Sequence, residues 1–350
     1  MSENETNGGG ALEHVIRLET AEIAQAVCGP LHRNLALIQE DFREAGAARG
    51  KPRYGVVLDA QGTDVRLRAG AEAAESLKRA SAIVETLAAH ARAGKGVADQ
   101  DVRAAIAFSH AGGAEKDGPH SLQRIGGLTL RTPRQAHYVE ALRDDGVDLI
   151  FGVGPAGTGK TFLAVAAAVE ALKAERVARI VVTRPAVEAG EKLGYLPGDL
   201  AEKVDPYLQP IWDAFRSQMG ETDLRNRRER RVIEVAPLAF MRGRTLADAF
   251  VIVDEAQNAT VLQMKMVLTR LGEGSRMVVT GDPSQSDLPR AEQSGLAHAL
   301  SILEGLPGVE VIRFATQDVV RHRLVARIIE AYDEDEARRR AAREGGRSDG

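Results

Sequence analysis

Residues 154–161 read Gly-Pro-Ala-Gly-Thr-Gly-Lys-Thr, and this stretch limits the fold more than any other. Gly154, Gly159, Lys160 and Thr161 occupy the fixed positions of G-x-x-x-x-G-K-[ST]. Glycines let the backbone wrap closely, so that successive N–H groups point inward at phosphate oxygens. The helix that follows aims its positive end at the same anion. Gly154, Pro155, Ala156, Gly157, Thr158 and Gly159 would form the cradle, Lys160 would reach the β- and γ-phosphates, and Thr161 would ligate Mg²⁺. An apolar strand, Leu149-Ile150-Phe151, precedes the loop, and an Ala/Val/Leu-rich helix follows it.

A second segment completes the chemistry. Residues 251–255 read Val-Ile-Val-Asp-Glu, an acidic pair at the end of a buried strand. Asp254 would hold Mg²⁺, and Glu255 would act as general base on the attacking water. Together the two segments predict an enzyme that binds and hydrolyses ATP with Mg²⁺; a domain that binds nucleotide without hydrolysing it is the alternative. Gln285, just after the strand that ends in Thr280-Gly281-Asp282, is a candidate γ-phosphate sensor or simply part of a turn. Gln135, in Thr132-Pro133-Arg134-Gln135, could contact adenine through its amide. Equally, Thr132-Pro133 is a good helix-capping turn. Arg321 and Arg323 are candidate arginine fingers, or residues of a solvated helix face.

The six segments 147–153, 179–183, 232–235, 249–253, 276–280 and 309–314 alternate with helical stretches. Near-continuous apolar runs such as Phe250-Val251-Ile252-Val253 fit a parallel sheet covered on both faces. The expected class is therefore α/β, a single P-loop ATPase core over 125–333. Before it, 11–108 reads as a small α+β domain, with strands at 14–18, 54–58 and a hairpin partner around Val65 and Leu67. Its helices are expected at about 29–42, 71–92 and 99–108. Residues 1–10 read as a disordered leader, 109–124 as a linker and 334–350 as a charged flexible tail.

Net charge excludes a histone-like protein: Lys plus Arg number 46 against 50 acidic residues, giving -4. A local basic patch can still bind nucleic acid, and Arg-Asn-Arg-Arg-Glu-Arg-Arg at 225–231 is the strongest candidate, with Arg242-Gly243-Arg244 and Arg184 as others. A bare charge run is more often a solvated loop. With Cys28 as the only cysteine, no intrachain disulfide can form. No apolar run is long enough to span a membrane, and the first residues do not read as a signal peptide. The expected location is the cytoplasm.

These segments together resemble the PhoH-like family of P-loop ATPases, of the bacterial YbeZ type. The resemblance rests on TPRQ at 132–135, GPAGTGKT at 154–161, TRPAVEAGEKLGYLPGDLAEKVDPYLQP at 183–210 and FMRGRT at 240–245. It continues through DEAQN at 254–258, QMKMVLTRLG at 263–272, TGDPSQ at 280–285, DLP at 287–289 and DVVRH at 318–322. The family's nucleotide site is similar to that of superfamily 1 helicases. That likeness implies Gln135 at adenine, Lys160 at the phosphates, Thr161 with Asp254 at Mg²⁺, Glu255 as base, Gln285 near the γ-phosphate and Arg321 as finger. The first domain is similar to the family's KH-like module, although Cys28-Gly29-Pro30-Leu31-His32-Arg33 supplies one glycine where a KH loop has two.

After Gln285 the chain has room to finish one core and not a second. A finger arginine would then come from a neighbouring subunit, which predicts a homo-oligomeric ring, a hexamer, rather than a monomer. The resemblance further implies single-stranded RNA as ligand, RNA processing as the setting and a YbeY-type endoribonuclease as partner. The alternative is a nucleotide-switched assembly module that recruits the nuclease and moves nothing.

Overall fold

The computed structural model describes residues 3–7, 11–48, 55–111, 122–185, 200–288 and 293–320. In the N-terminal part, β1 (Glu3–Asn7), β2 (Ala11–Arg17), β3 (Val57–Gln61) and β4 (Asp64–Gly70) form an antiparallel sheet in the order β1-β2-β4-β3. The helices α1 (Ala21–Cys28), α2 (Arg33–Ala48), α3 (Ala74–Arg92) and α4 (Asp99–Ala111) complete this part. Val65, Leu67 and Ala69 alternate inward along β4. They meet Leu77, Ile83, Val84 and Leu87 from α3 in one core.

Three expectations are corrected here. The leader read as disordered contains β1, because Glu3–Asn7 finds the open edge of β2 and pairs with it from Glu3↔Val15 to Asn7↔Ala11. The helix expected over 29–42 begins later, as α2 from Arg33, and α1 precedes it where no helix was expected. Thr20 caps α1, accepting from the Ile23 N–H at 3.3 Å, and Gly29, at φ +70°, ends it. Pro30 then starts a tight turn in which Leu31 and His32 both take left-handed backbone angles. Third, the strand expected at 54–58 lies at 57–61, because Gly62 and Thr63 make the two-residue hairpin turn that fixes Gln61 opposite Asp64.

The second part begins with a short hairpin, β5 (Arg124–Ile125) and β6 (Leu128–Thr129), so the end of the expected linker is structured. Residues 112–121 lie outside the described residues. Then come α5 (Pro133–Arg143), β7 (Leu149–Val153), α6 (Lys160–Lys173), β8 (Arg179–Arg184), α7 (Leu200–Met219), α8 (Glu221–Glu229) and β9 (Ile233–Pro237). The chain continues through β10 (Ala249–Val253), α9 (Val261–Leu268), β11 (Arg276–Gly281), α10 (Gly295–Leu303) and β12 (Val309–Arg313). The six longer strands are all parallel, in the order β12-β7-β11-β10-β8-β9. All six coincide with expected segments.

Alternation splits the sheet between two cores. Ile150, Ile180, Val182, Phe250, Ile252 and Val278 face α5, α6, α7 and α8. Phe151, Val181, Val251, Val253 and Val279 face α9 and α10. That double burial is why these strands read as continuous apolar runs rather than alternating ones. The alanines of α6 are almost wholly buried, and their small size lets this helix lie close to the sheet.

The two parts are joined by a buried hydrogen bond. Asp101 of α4 is 1% exposed and accepts from Thr129 Oγ1 at 2.7 Å, while its other oxygen accepts from the Ala98 N–H. Thr129 lies just ahead of Thr132 and Gln135, so the N-terminal helices are tied to the chain that leads into the phosphate loop.

Candidate nucleotide site

Parallel strands place their carboxyl ends, and the loops that follow, on one edge of the sheet, where ligands of open α/β folds bind. Here β7, β11 and β10 are neighbours. Their ends bring the phosphate loop, Asp282 and the Asp254–Glu255 pair together.

The loop has the conformation its sequence predicts. Gly154, Gly157 and Gly159 have φ of +133°, +86° and +88°, values that L side chains rarely adopt. At Gly154 a Cβ would fall 2.3 Å from the Phe314 carbonyl oxygen. Gly159 caps α6, and the Leu163 N–H donates to its carbonyl at 2.8 Å. Thr158 Oγ1 donates to the Pro155 carbonyl at 3.0 Å. The loop is pinned from two sides: the Gly154 N–H donates to Gly281 O at 3.1 Å, and the Val320 N–H to Gly157 O at 3.0 Å.

Lys160 is buried, with its Nζ 2.6 Å from Gly154 O and 2.8 Å from Pro155 O. Burial pushes its pKa down, and the carboxylates of Asp282, Glu255 and Asp254 push back. A buried ammonium folded against carbonyls of a glycine cradle is suited to an anion richer in charge than those carbonyls. The Thr161 hydroxyl donates to Asp254 Oδ1 at 2.6 Å. Thr280 donates to the same oxygen at 2.7 Å. One carboxylate with a hydroxyl beside a phosphate cradle is the donor set Mg²⁺ uses when substrate phosphates and water supply the rest. The residues present therefore fit Mg²⁺–nucleotide.

Glu255 sits at φ +49°, unusual for a non-glycine residue. Its Oε1 lies 3.6 Å from Arg184 Nη2, and its Oε2 accepts from Gln257 Nε2 at 2.5 Å. Gln257 Oε1 in turn accepts from the Asp282 N–H at 3.1 Å. Gln257 and Thr280 are positioning residues that sequence reading gave no role. The signal available was their place, two residues beyond Asp254–Glu255 and at the end of a buried strand.

The other expected residues are placed as follows. Gln135 touches the phosphate loop: its Nε2 donates to Thr158 O at 3.0 Å and its Oε1 accepts from the Arg131 N–H at 2.8 Å. Thr132 also caps α5, accepting from the Gln135 N–H at 3.2 Å. The capping turn is therefore present, and the Gln135 amide is hydrogen-bonded to the phosphate loop and to the chain before α5. Gln285 lies exposed in the turn after β11, where its N–H donates to Asp282 O at 3.0 Å. Arg321 and Arg323 lie outside the described residues, as do 186–199. The arginines of 225–231 lie on α8 and the turn before β9, at the amino end of the strands, opposite the nucleotide edge. There Arg228 stacks 3.9 Å from the Trp212 ring centroid, and Arg227 pairs with Asp223 at 2.9 Å. Among the described residues no helix is long and apolar enough to cross a membrane.

Residues 127–333 match the model of the family described as PhoH-like protein. A PhoH-like protein of Bacillus subtilis (strain 168) is 58% identical over 206 residues, 59% of this chain and 64% of that protein. One from Synechocystis sp. is 48% identical over 75% of this chain and 81% of its own length. Protein PhoH of Escherichia coli (strain K12) is 46% identical over 59% of this chain and 58% of its own length. The chain therefore spans less than two thirds of the Bacillus and Escherichia relatives. A solved Sulfolobus solfataricus SWI2/SNF2 ATPase core is also similar, at 18% identity and TM-score 0.32, covering 46% of this chain and 34% of that one. At that score it adds nothing to the strand order. The family match covers the whole sheet, the phosphate loop and the acidic pair, and the chain belongs to the PhoH-like family.

Proposed function

We propose that this protein is a Mg²⁺-dependent ATPase that remodels single-stranded RNA. The observation that supports the ATPase part of this reading is the convergence of Lys160, Thr161, Asp254 and Glu255 at one edge of the sheet, with Thr161 hydrogen-bonded to Asp254. Bound Mg²⁺ would neutralise charge on the β- and γ-phosphates. The chain's own residues do the rest. Lys160 exchanges its carbonyl partners for phosphate oxygens, and the glycine loop presents N–H groups to the same anion. The Glu255 carboxylate orients the attacking water and accepts its proton. Gln257 and Arg184 set the angle at which that carboxylate stands.

We place the protein in the cytoplasm, as a ring-forming homo-oligomer, a hexamer, that works in RNA processing beside a YbeY-type endoribonuclease. Arg321 would supply the finger. Mixing Arg321→Ala with Lys160→Ala subunits tests this: recovered turnover supports a finger acting between subunits, and no recovery counts against it. The Asp101–Thr129 bond supports a second reading. On that reading nucleotide state is passed to the N-terminal module, which recruits the nuclease without moving RNA. Steady-state hydrolysis with and without single-stranded RNA, with Lys160→Ala as blank, separates the two. Several-fold stimulation supports the remodelling enzyme, and indifference to RNA supports the switch.

A further inference from the structure

Gln135 commits both ends of its side-chain amide to the protein itself. Thr132 is the N-cap of α5 and Pro133 its first residue, so Gln135 holds the third helical position, where a long polar side chain folds back over the cap. Here it reaches one residue further. Its Oε1 accepts from the Arg131 N–H at 2.8 Å, and its Nε2 donates to Thr158 O at 3.0 Å. An amide that reads adenine presents its oxygen and nitrogen together to one base edge. In Gln135 the two atoms are bonded to different chain segments, and the residue is 5% exposed.

What this amide holds is the phosphate loop. Thr158 is fully buried, between Gly157 and Gly159, both at positive φ. In a trans peptide the C=O and the following N–H point opposite ways. Fixing Thr158 O against Gln135 therefore turns the Gly159 N–H away from α5. The N–H groups of such a loop are its phosphate ligands, so their direction is set partly from outside the loop.

The other end of the amide leads to the N-terminal module. The Arg131 guanidinium donates to Gln100 Oε1 of α4 at 3.3 Å. Two residues earlier, the Thr129 hydroxyl donates to the buried Asp101 carboxylate of α4 at 2.7 Å and accepts from Arg124 Nε at 3.1 Å. Bonds thus run without a break from α4 to residues 129–131, and through Gln135 to Thr158.

We propose that Gln135 is a positioning residue that fastens the phosphate loop to α4 of the N-terminal module, and that it takes no part in choosing between adenine and guanine. This rests on the nucleotide-binding part of the function proposed above. A loop held in shape beforehand loses less freedom on binding. That gain belongs to the phosphates and is the same for every base.

The test is titration calorimetry of the full chain with the Mg²⁺ complexes of ADP and GDP, which share phosphates and differ in base. Gln135→Ala is expected to weaken both about five- to tenfold, the effect of losing one hydrogen bond. The ratio of ADP to GDP affinity should stay as in the parent. Gln135→Glu keeps the acceptor for Arg131 and loses the donor to Thr158, so it should weaken both alike. Thr129→Val acts from the far end and should weaken both by a smaller common factor, while Thr129→Ser, which keeps the hydroxyl, should bind as the parent does. Added to Gln135→Ala, Thr129→Val should cost nothing more, because its effect passes through Gln135. Gln100→Ala removes the surface bond to Arg131 without touching the core, and carries the same expectation should Thr129→Val fail to fold. Gln123→Ala, which loses only its bond to Glu140, should bind both nucleotides as the parent does.

The assignment is overturned if Gln135→Ala weakens ADP and spares GDP, the signature of base reading, or if it binds both like the parent. The tie to α4 is overturned if the folded Thr129 or Gln100 variant binds like the parent, or if its loss multiplies with that of Gln135→Ala. A parent that binds neither nucleotide removes the proposed function as well. A parent that binds them leaves that function standing whatever the variants show.

Discussion

Thr161 Oγ1 donates to Asp254 Oδ1 at 2.6 Å across 93 residues of sequence. The bond joins the first turn of α6 to the end of β10, with β11 lying between β7 and β10. Thr280, from β11 itself, donates to the same oxygen at 2.7 Å. The carboxylate is therefore oriented before any ligand arrives, which spares the site reorganisation when it binds. Thr280→Val removes one of the two donors. It should raise the Mg²⁺ concentration for half-maximal turnover several-fold, at a cost of about 1 kcal/mol. A Mg²⁺ titration after chelation checks this, and chelation alone should abolish turnover in the parent.

Lys160→Ala removes the buried ammonium that now lies against Gly154 O and Pro155 O. Charge-assisted hydrogen bonds are worth about 1.5–3 kcal/mol, so nucleotide affinity should fall roughly 10- to 150-fold. Titration with a fluorescent ATP analogue measures it.

Glu255→Gln keeps the shape of the side chain and removes its basicity. Nucleotide should still bind, while kcat drops by about 10²–10⁴. Near-normal turnover in this variant would overturn its assignment as the base.

Gly154→Ala places a Cβ 2.3 Å from the Phe314 carbonyl oxygen at a backbone angle that alanine avoids. The loop must move away from β12 to accept it. A loss of about 1–3 kcal/mol in stability is expected, together with weaker nucleotide binding. Chemical denaturation and nucleotide titration test the two effects separately. Gly62→Ala, in an open hairpin turn with no atom near the added carbon, should leave nucleotide binding unchanged.

His90 gives the N-terminal core a pH response. Its ring is buried, and Nε2 has no hydrogen-bond partner. Burial holds its pKa below the ordinary 6.5; Asp101 opposes that shift, while Arg124 and Lys95 reinforce it. Below that value the unfolded chain takes up a proton that the folded chain resists. Stability contributed here is thus present above about pH 6.5 and lost as pH falls. The melting temperature should drop between about pH 7.5 and about pH 5.5, and His90→Leu should remove part of that slope.

Much of the nucleotide site was legible because its parts are contiguous. A glycine loop with its lysine, and an apolar strand ending in two acids, each carry their chemistry within eight residues or fewer. The six parallel strands were legible because burial on both faces leaves unbroken apolar runs. The turn at Gly29–His32 was read as the start of α2 because Leu31 keeps helical spacing with Leu35 and Ile38, although its backbone is left-handed. β1 was missed because its polar sequence carries no alternation, and it is a strand only by pairing with β2.

The sequence by itself determined the type of chemistry and the class of sheet. Both follow from short-range patterns of glycine, charge and apolar period, which survive without knowledge of neighbours. Tertiary structure alone decided who stands beside whom. Strand order set Arg184 against Glu255, brought Thr280 to Asp254, and left α8 at the far edge. It fastened Gln135 to Thr158. These are contacts between segments far apart in the chain or between side chains and a shared core, and local spacing carries no information about either.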